Sequence, residues 1–353
     1  MKKKYVFNVT NLFKKEKVYI ASQAVSDFTH IAHQCGYCNL TRYKTTFKGG
    51  SSLLDLFLFI KMMCLPKKTV ILYQHPMYFS QRMFNLFYKV IRKKKFHIIM
   101  LIHDLDMYRA WTANTEIIEM ALLQFSKVVI AHNDYMKDYL VSKGIDKKKI
   151  VNLEIFDYLV DKTQNEAKRQ PPICGRSIIV AGNLMESKCG YLYKLINRNK
   201  DYLDIYGVNY IYENQSDKFP YVKYHGAFPA PVLPQIISGG FGLVWDGDSL
   251  EECSGNYGEY LKINNPHKTS LYLASGIPVA IWSQAALANF VEKNKVGITI
   301  DNLYQAADKI TLITQEEYNT MKKNAEMIGT KLKNGEFSKK AIGKAEIRLE
   351  SNI

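Results

Sequence analysis

Short runs rich in hydrophobic and β-branched residues lie in the first half of the chain at positions 5–9, 69–73, 96–102 and 127–131. Runs without strict alternation are typical of strands buried on both faces of a parallel sheet. Between them, apolar residues recur at helical spacing over 24–35 and near 80–92, 115–125 and 133–143. Gly36 is predicted to end the first of these helices, and Asn133 and Gly144 to cap the last. The pattern predicts a parallel α/β domain.

A second series of the same kind follows residues 162–176, which contain the pair Pro171 and Pro172 and predict a linker. Its strands are expected at 177–181, 202–206, 221–224, 241–245, 278–282 and 297–300. We therefore expect two Rossmann-like, doubly wound domains that face each other across a cleft at their strand ends. The predicted boundaries are 1–165 for the first domain, 170–325 for the second, and 326–353 for a C-terminal helical segment that returns to the first.

The positive charge is concentrated in the first half. The 353 residues carry a net charge of +15, and residues 1–165 hold 26 Lys and Arg against 13 Asp and Glu. Basic clusters at Lys14, Lys15 and Lys17, at 92–95 and at 147–149 are expected to attract an anionic membrane surface or an acceptor that carries pyrophosphate. A solvated basic face is the plain alternative. Nucleic acid is not expected as a partner, because no helix-turn-helix, zinc-finger or RNP pattern accompanies the charge.

Targeting and metal-binding features are weak. No secretory signal is recognised, and the longest apolar run, 53–65, is interrupted by Asp55 and Lys61 and is too short to span a bilayer. We predict a cytoplasmic protein. Cys35 and Cys38 form the only close cysteine pair and lack a second pair at metal-binding spacing, so reduced structural thiols are expected.

The most informative block lies between residues 239 and 282. An apolar strand ends in Trp245-Asp246-Gly247-Asp248, and Pro266-His267-Lys268 opens a short helix that Gly276 closes. This order places acidic, basic and hydroxyl groups at the carboxyl end of a parallel strand, where open α/β sheets bind phosphorylated ligands. The N–H groups of 267–270 and the Lys268 ammonium are predicted to converge on a diphosphate, with a hydroxyl from Thr269 or Ser270.

The runs 238–248 and 264–279, with Leu101-Ile-His-Asp104 and Ala181-Gly-Asn183, carry a resemblance to a known family. They resemble bacterial GT-B glycosyltransferases, and among these the β-1,6-galactofuranosyltransferases of surface-polysaccharide synthesis and the third glucosyltransferases of serine-rich-repeat adhesin glycosylation. The resemblance covers most of the chain and is densest over 238–282.

The resemblance implies a GT-B enzyme that transfers a hexosyl unit with inversion and without a metal. The implied donor is UDP-galactofuranose first and UDP-glucose second. The implied acceptor is a lipid-pyrophosphate-linked glycan at the inner membrane surface, with a glycosylated adhesin as the second choice. A nucleotide-sugar-binding or lectin-like module without turnover stays open as an alternative, as does a homo-oligomer.

Further donor-site candidates lie at the ends of other strands. Gly182 and Asn183 follow the first strand of the second domain, where a glycine lets backbone N–H groups approach a phosphate, although an ordinary βα turn has the same sequence. The resemblance suggests that Ser187 and Lys188 face the diphosphate; a solvated lysine is the alternative. Tyr206 lies where related enzymes contact the base, and a core tyrosine is equally compatible with its sequence.

The acidic candidates have two chemical roles. Asp246 and Asp248 invite a metal interpretation, but in GT-B enzymes cationic side chains and helix N-termini usually replace the ion, so we expect hydrogen bonds to sugar hydroxyls or a turn cap. Asp104, directly after the strand 96–102, is the predicted general base, with His103 as a second titratable group. A loop carboxylate paired with Arg109 is the alternative for Asp104.

Overall fold

The structure is a computed structural model that describes residues 3–11, 20–45, 50–109, 112–161, 169, 171–198, 201–213 and 215–351. The described chain packs as two compact units. The first contains the described parts of Met1–Lys17, Val25–Leu153 and Ser338–Ile353, and the second contains those of Val18–Ala24 and Glu154–Phe337. The predicted boundaries are 165 and 326, and of the predicted linker at 162–176 the structure describes 169 and 171–176.

The first unit is built on a six-stranded sheet in which every strand pair is parallel. Its strands are β1 (Lys4–Asn11), β2 (Tyr37–Lys44), β3 (Val70–His75), β4 (His97–Ile102), β5 (Val128–Ala131) and β6 (Ile150–Asn152). Their order is β2-β1-β3-β4-β5-β6, the doubly wound arrangement. The helices between them are α1 (Ile20–Gln34), α2 (Gly50–Cys64), α3 (Gln81–Lys94), α4 (Asp106–Arg109), α5 (Ala113–Phe125) and α6 (Asp134–Ser142).

The second unit repeats this architecture, again with parallel pairs throughout its sheet. Its strands are β7 (Ile178–Asn183), β8 (Leu203–Val208), β9 (Val222–Tyr224), β10 (Phe241–Val244), β11 (Val279–Trp282) and β12 (Gly297–Ile300), in the order β12-β11-β10-β7-β8-β9. The helices are α7 (Glu186–Arg198), α8 (Leu233–Ile236), α9 (Gly255–Tyr260), α10 (His267–Ala274), α11 (Ala288–Asn294), α12 (Ala306–Leu312) and α13 (Gln315–Lys333).

The last helix, α14 (Glu336–Ser351), belongs to the first unit from Ser338 onward. Its Glu346 carboxylate accepts hydrogen bonds from Lys4 Nζ at 2.6 Å and from the Tyr37 hydroxyl at 2.8 Å. The chain therefore returns to the unit that contains its first strand. This confirms the predicted fold class of two doubly wound α/β domains with a returning C-terminal helix.

Each predicted strand coincides with an observed one to within two residues. The predicted cap is also present, since the Asn133 side chain accepts from the Met136 N–H at the start of α6. The edge strand β2 was not predicted, because Asn39, Thr41 and Arg42 interrupt its apolar pattern. Helix α2 was not predicted either, although it contains the longest apolar run. Within the described ranges, no helix combines the length and the apolar character that a bilayer crossing needs.

A buried ion pair fastens α2 to β2. Arg42 donates from Nε to Asp55 Oδ1 at 2.7 Å and from Nη2 to Oδ2 at 2.8 Å, and the two side chains are only 4% and 2% exposed. The guanidinium also lies 4.0 Å from the centroid of the Phe79 ring. Such a bidentate pair is stable inside a protein only while both partners are present.

Removing one partner should therefore destabilise the first unit. We expect Asp55→Ala to lower the free energy of unfolding by about 3–5 kcal/mol, because it leaves the Arg42 charge buried without its carboxylate. Urea unfolding followed by circular dichroism measures the change. Glu116→Ala is the control, since it removes the more exposed Lys143–Glu116 pair of the same unit and should cost at most about 1 kcal/mol. Equal changes in the free energy of unfolding would show that the buried pair stabilises the unit no more than the exposed pair does.

Candidate functional site

The predicted donor-site residues of the second unit lie at the carboxyl ends of adjacent strands. β10 pairs with β7 on one side, Phe241 opposite Ile178, and with β11 on the other, Gly242 opposite Val279. The segments that follow β7 and β10 therefore emerge side by side at one edge of the sheet.

Gly247, in the segment after β10, is hydrogen-bonded to the start of α7. Its N–H donates to the Lys188 carbonyl at 3.1 Å, and its carbonyl accepts from the Tyr191 N–H at 3.2 Å. These two groups are available because Cys189 has non-helical backbone angles, φ −134° and ψ 47°, which interrupt α7 after its first turn. Gly247 has φ +108°, and a Cβ there would lie 2.4 Å from the Ser254 carbonyl oxygen. Only glycine fits this position.

Lys268, in the first turn of α10, forms an ion pair with Asp246. Lys268 Nζ donates to Asp246 Oδ1 at 2.9 Å and to the Trp245 carbonyl at 3.0 Å, and the side chains are 16% and 10% exposed. Burial disfavours the charged amine, but Asp246, together with Tyr272 and Cys189, favours it, and the pKa of Lys268 is raised above its ordinary value. The lysine is therefore a fixed cation at neutral pH, and Pro266 at the N-cap of α10 makes no side-chain cap hydrogen bond.

Asp248 is exposed and occupies a different environment from Asp246. Its carboxylate accepts a hydrogen bond from the Ser254 hydroxyl at 2.8 Å and lies 3.7 Å from Lys194 Nζ. The Ser254 hydrogen bond, followed by the Lys194 charge, lowers the pKa of Asp248. Asp246 and Asp248, which are separated by one glycine, thus have different partners. The described residues contain no cluster of His, Cys, Asp and Glu that could hold a metal ion.

A cavity of about 740 Å³ lies against this loop and one side of α7. Its wall contains the predicted residues Ser187 and Asp248, together with Lys194, Ser254 and Tyr257, which were not predicted from the sequence. This volume is within the range of small-molecule sites, about 300–1,000 Å³. Lys268 and Lys188 are not among the residues that line this cavity. Lys268 contacts the two residues before Gly247, and Lys188 Nζ lies 5.5 Å from the centroid of the Tyr257 ring.

Gly182 and Asn183 are the last two residues of β7 and lie opposite Gly207 and Val208 of β8. The Asn183 side-chain oxygen accepts from the Met185 N–H at 3.2 Å and from Asn209 Nδ2 at 2.8 Å. Gly182 has φ +137°, and a Cβ built on Gly207, the neighbouring residue in β8, would lie 1.9 Å from the Gly182 carbonyl oxygen. The glycines allow the two strands to approach closely, and a phosphate contact at Gly182 or Asn183 stays a prediction.

The structure contradicts the predicted contact between Tyr206 and a nucleotide base. The Tyr206 side chain is fully buried, and the ring stacks on His225 with centroids 4.3 Å apart and planes 1° apart. Because this face of the ring is already covered by an aromatic side chain and the rest is in the core, no surface is left for a base. The alternative, a core tyrosine, is the observed one.

The residues beside Lys268 also differ from the prediction. Thr269 and Ser270 are buried, and the Ser270 hydroxyl donates to the Phe156 carbonyl at 2.6 Å, so neither hydroxyl is exposed to a diphosphate. His267 stacks on Tyr158 at 4.8 Å, and burial lowers its pKa to about 4, so the imidazole is neutral at pH 7. Consecutive helical residues point in different directions, which explains why only Lys268 reaches the segment after β10.

In the first unit, Asp104 follows β4 and forms an ion pair with Arg109, with Nη1 and Oδ2 2.8 Å apart. Arg109 also contacts Asp106 at 2.7 Å. His103 Nε2 lies 2.8 Å from Gln74 Oε1. The arginine partner expected for a loop carboxylate is therefore present. Asp104 keeps about a third of its side chain exposed, and its role as general base stays a prediction.

Glu119 orders the loop that carries Asp104. Its two carboxylate oxygens accept from the N–H groups of Asp106 and Met107 at 2.9 and 2.7 Å, and one of them lies 2.7 Å from His75 Nε2. The pair with His75 is buried. The sequence contained a sign of this role, because helical spacing places Glu119 on the same face of α5 as the buried Leu122 and Leu123.

Comparisons with known proteins cover both units. Residues 6–155 match the family model of the N-terminal domain of glucosyltransferase 3-like proteins, and residues 178–345 match that of the C-terminal domain. The β-1,6-galactofuranosyltransferase WbbI of Escherichia coli (strain K12) is 37% identical over 275 residues, 77% of this chain and 78% of that protein. Glucosyltransferase 3 of Streptococcus gordonii is 27% identical over 341 residues, 95% of this chain and 96% of that protein.

Two solved structures share the fold at low sequence identity. Sucrose-phosphate synthase from Thermosynechococcus elongatus aligns with a TM-score of 0.65 at 12% identity, covering 99% of this chain and all of that one. Anabaena HepE in complex with UDP and glucose aligns with a TM-score of 0.60 at 11% identity, covering 97% of this chain and 98% of that one. At these identities the structural similarity shows the fold alone.

Proposed function

Because this chain belongs to the glucosyltransferase 3-like family of bacterial GT-B glycosyltransferases and is a hexosyltransferase, we propose that it transfers galactofuranose from UDP-galactofuranose to a surface-polysaccharide glycan. The relative at 37% identity, a β-1,6-galactofuranosyltransferase, supports this donor. Glucose is the second candidate, since the glucosyltransferase relative covers 95% of the chain. HepE, which shares the fold, was crystallised with UDP and with UDP-glucose, in keeping with a uridine diphosphate donor.

The observation that carries the proposal is the fixed Lys268 ammonium at the start of α10. An ammonium has three N–H donors, and within the described structure Trp245 and Asp246 engage two of them. The third donor and the first N–H groups of the helix are proposed to bind the diphosphate oxygens. Asp248 and Ser254 in the adjacent cavity are proposed to bind sugar hydroxyls, and Ser187 and Lys188 to complete the donor site.

This arrangement suits leaving-group stabilisation. As the bond between the sugar and the diphosphate breaks, negative charge develops on the departing UDP, and a cation held in place lowers the barrier without moving. In the proposed reaction, Asp104 removes the proton from the acceptor hydroxyl as that oxygen attacks the anomeric carbon. The attack comes from the face opposite the diphosphate, so the configuration at the anomeric carbon inverts. Because Lys268 supplies the positive charge at the diphosphate, the proposed reaction requires no metal ion.

The donor can be identified with each UDP-sugar supplied singly. With a lipid-pyrophosphate-linked acceptor and EDTA present, we expect UDP-galactofuranose to give a product heavier by one hexose, at least about tenfold faster than UDP-glucose, because pocket hydrogen bonds discriminate sugars by that order or more. Mass spectrometry measures the product. Faster transfer from UDP-glucose would favour the second candidate, and a strict requirement for Mn²⁺ or Mg²⁺ would overturn the metal-free mechanism.

The role of Lys268 is best tested together with Asp246. Lys268→Met alone would leave a buried carboxylate without its partner and disturb folding, so we pair it with Asp246→Asn. We expect the double variant to keep its thermal midpoint and to bind UDP at least about tenfold more weakly, a loss of about 1.4 kcal/mol, by calorimetry. The control, Lys262→Met with Glu259→Gln, removes an exposed pair of the same unit. Unchanged affinity in the Lys268 variant would exclude this diphosphate site.

The base is tested by two matched substitutions at the Arg109 network. Asp104→Asn should keep UDP affinity and reduce the rate of transfer at least about 100-fold, the usual contribution of a general base. Asp106→Asn removes the other carboxylate that contacts Arg109 and should retain most of the transfer activity. Single-turnover kinetics with a saturating donor distinguish the two. Equal losses would assign both aspartates to support of the loop, and full activity of Asp104→Asn would place the base elsewhere.

A further inference from the structure

Helix α2 of the first unit has an exposed face that is apolar. Leu53, Phe57 and Ile60 are 58%, 61% and 61% exposed, and Leu56 between them is 42% exposed. At 3.6 residues per turn these positions lie within an arc of about 100° on one side of the helix. A surface helix normally has polar and charged residues on that side.

The opposite side of α2 already supplies the packing that the fold needs. Phe59 lies 5.8 Å from Phe79 and 6.1 Å from Phe87 between ring centroids, and Leu58 and Met62 are buried with it. Among the described residues of the unit, the outer side chains are therefore left exposed. Contiguous exposed apolar side chains of this kind mark a binding surface.

The surroundings of α2 are strongly basic. Residues 50–95 contain nine Lys and Arg but a single acidic residue, Asp55, which is buried against Arg42. Lys94 Nζ donates to the Met63 carbonyl at 2.9 Å, and this contact joins the basic end of α3 to the end of α2. Arg92, Lys93 and Lys95 beside it are exposed. The predicted basic cluster at 14–17 lies outside the described residues.

An apolar helix face bordered by lysine and arginine is complementary to the surface of an anionic bilayer. A symmetric contact between two copies of the chain would instead bring the same positive charges together. We propose that α2 docks this protein on anionic membranes, with Leu53, Phe57 and Ile60 in the headgroup region and the basic end of α3 on lipid phosphates. The inference depends on this surface and not on the proposed reaction, because binding can be measured without substrate.

The test is sedimentation of the full-length chain with vesicles. We expect binding to vesicles of equimolar phosphatidylglycerol and phosphatidylcholine, and binding at least about tenfold weaker after Phe57→Glu with Ile60→Glu, because apolar burial and charge attraction are both reduced. The control makes the same exchange at two other exposed positions, Ile117→Glu with Leu312→Glu. Its binding should match that of the unmodified chain.

A second variant tests the charge. Arg92→Gln, Lys93→Gln and Lys95→Gln together should weaken binding to the anionic vesicles and reduce its sensitivity to salt. Thermal midpoints equal to that of the unmodified chain verify that the variants fold. Unaltered vesicle binding by the Phe57 and Ile60 variant would overturn the proposal. The proposal would also be overturned if the Phe57 and Ile60 variant bound vesicles normally but no longer self-associated in sedimentation velocity, because the apolar face would then be a contact between copies of the chain.

Discussion

The ion pair between Lys268 and Asp246 is the interaction that holds the candidate donor site together. It joins the first turn of α10 to the segment that leaves β10, and the two residues are 22 positions apart in the chain. Because both side chains are largely removed from water, the attraction is stronger than that of a surface pair. The raised pKa of Lys268 follows from this contact, so the cation is present and fixed before any ligand arrives.

The backbone around this pair is equally constrained. The interruption of α7 at Cys189 leaves the Lys188 carbonyl and the Tyr191 N–H to bond with Gly247 instead of within the helix. Gly247 can make both bonds because it adopts a positive φ and carries no Cβ. The helix irregularity and the glycine therefore act as one device, which holds Asp246 toward Lys268 and leaves Asp248 exposed beside the cavity.

The first unit uses buried charge in a different way. Glu119 and Asp55 are carboxylates enclosed in the unit, and each is fully engaged, one by backbone N–H groups and His75, the other by Arg42. Glu119 orders the loop that carries Asp104 and Arg109, and Asp55 anchors α2. Since Asp55 is neutralised inside, the surface of that region retains only its positive charges.

The architecture could be predicted from the sequence, because strands buried on both faces need continuous apolar runs and helices need periodic ones, and these patterns are local. The short helix that begins beside Lys268 could also be predicted in this way, since a proline, a lysine and a closing glycine define such a helix after a buried strand. The sequence could not show which neighbours of Lys268 share its direction or that Tyr206 is covered by His225, and it raised the pair of Asp104 with Arg109 only as one of two alternatives. The packing of the folded chain fixes these points, and it also leaves the outer face of α2 exposed. Burial and ion pairing depend on contacts between residues distant in sequence, and no local pattern encodes them.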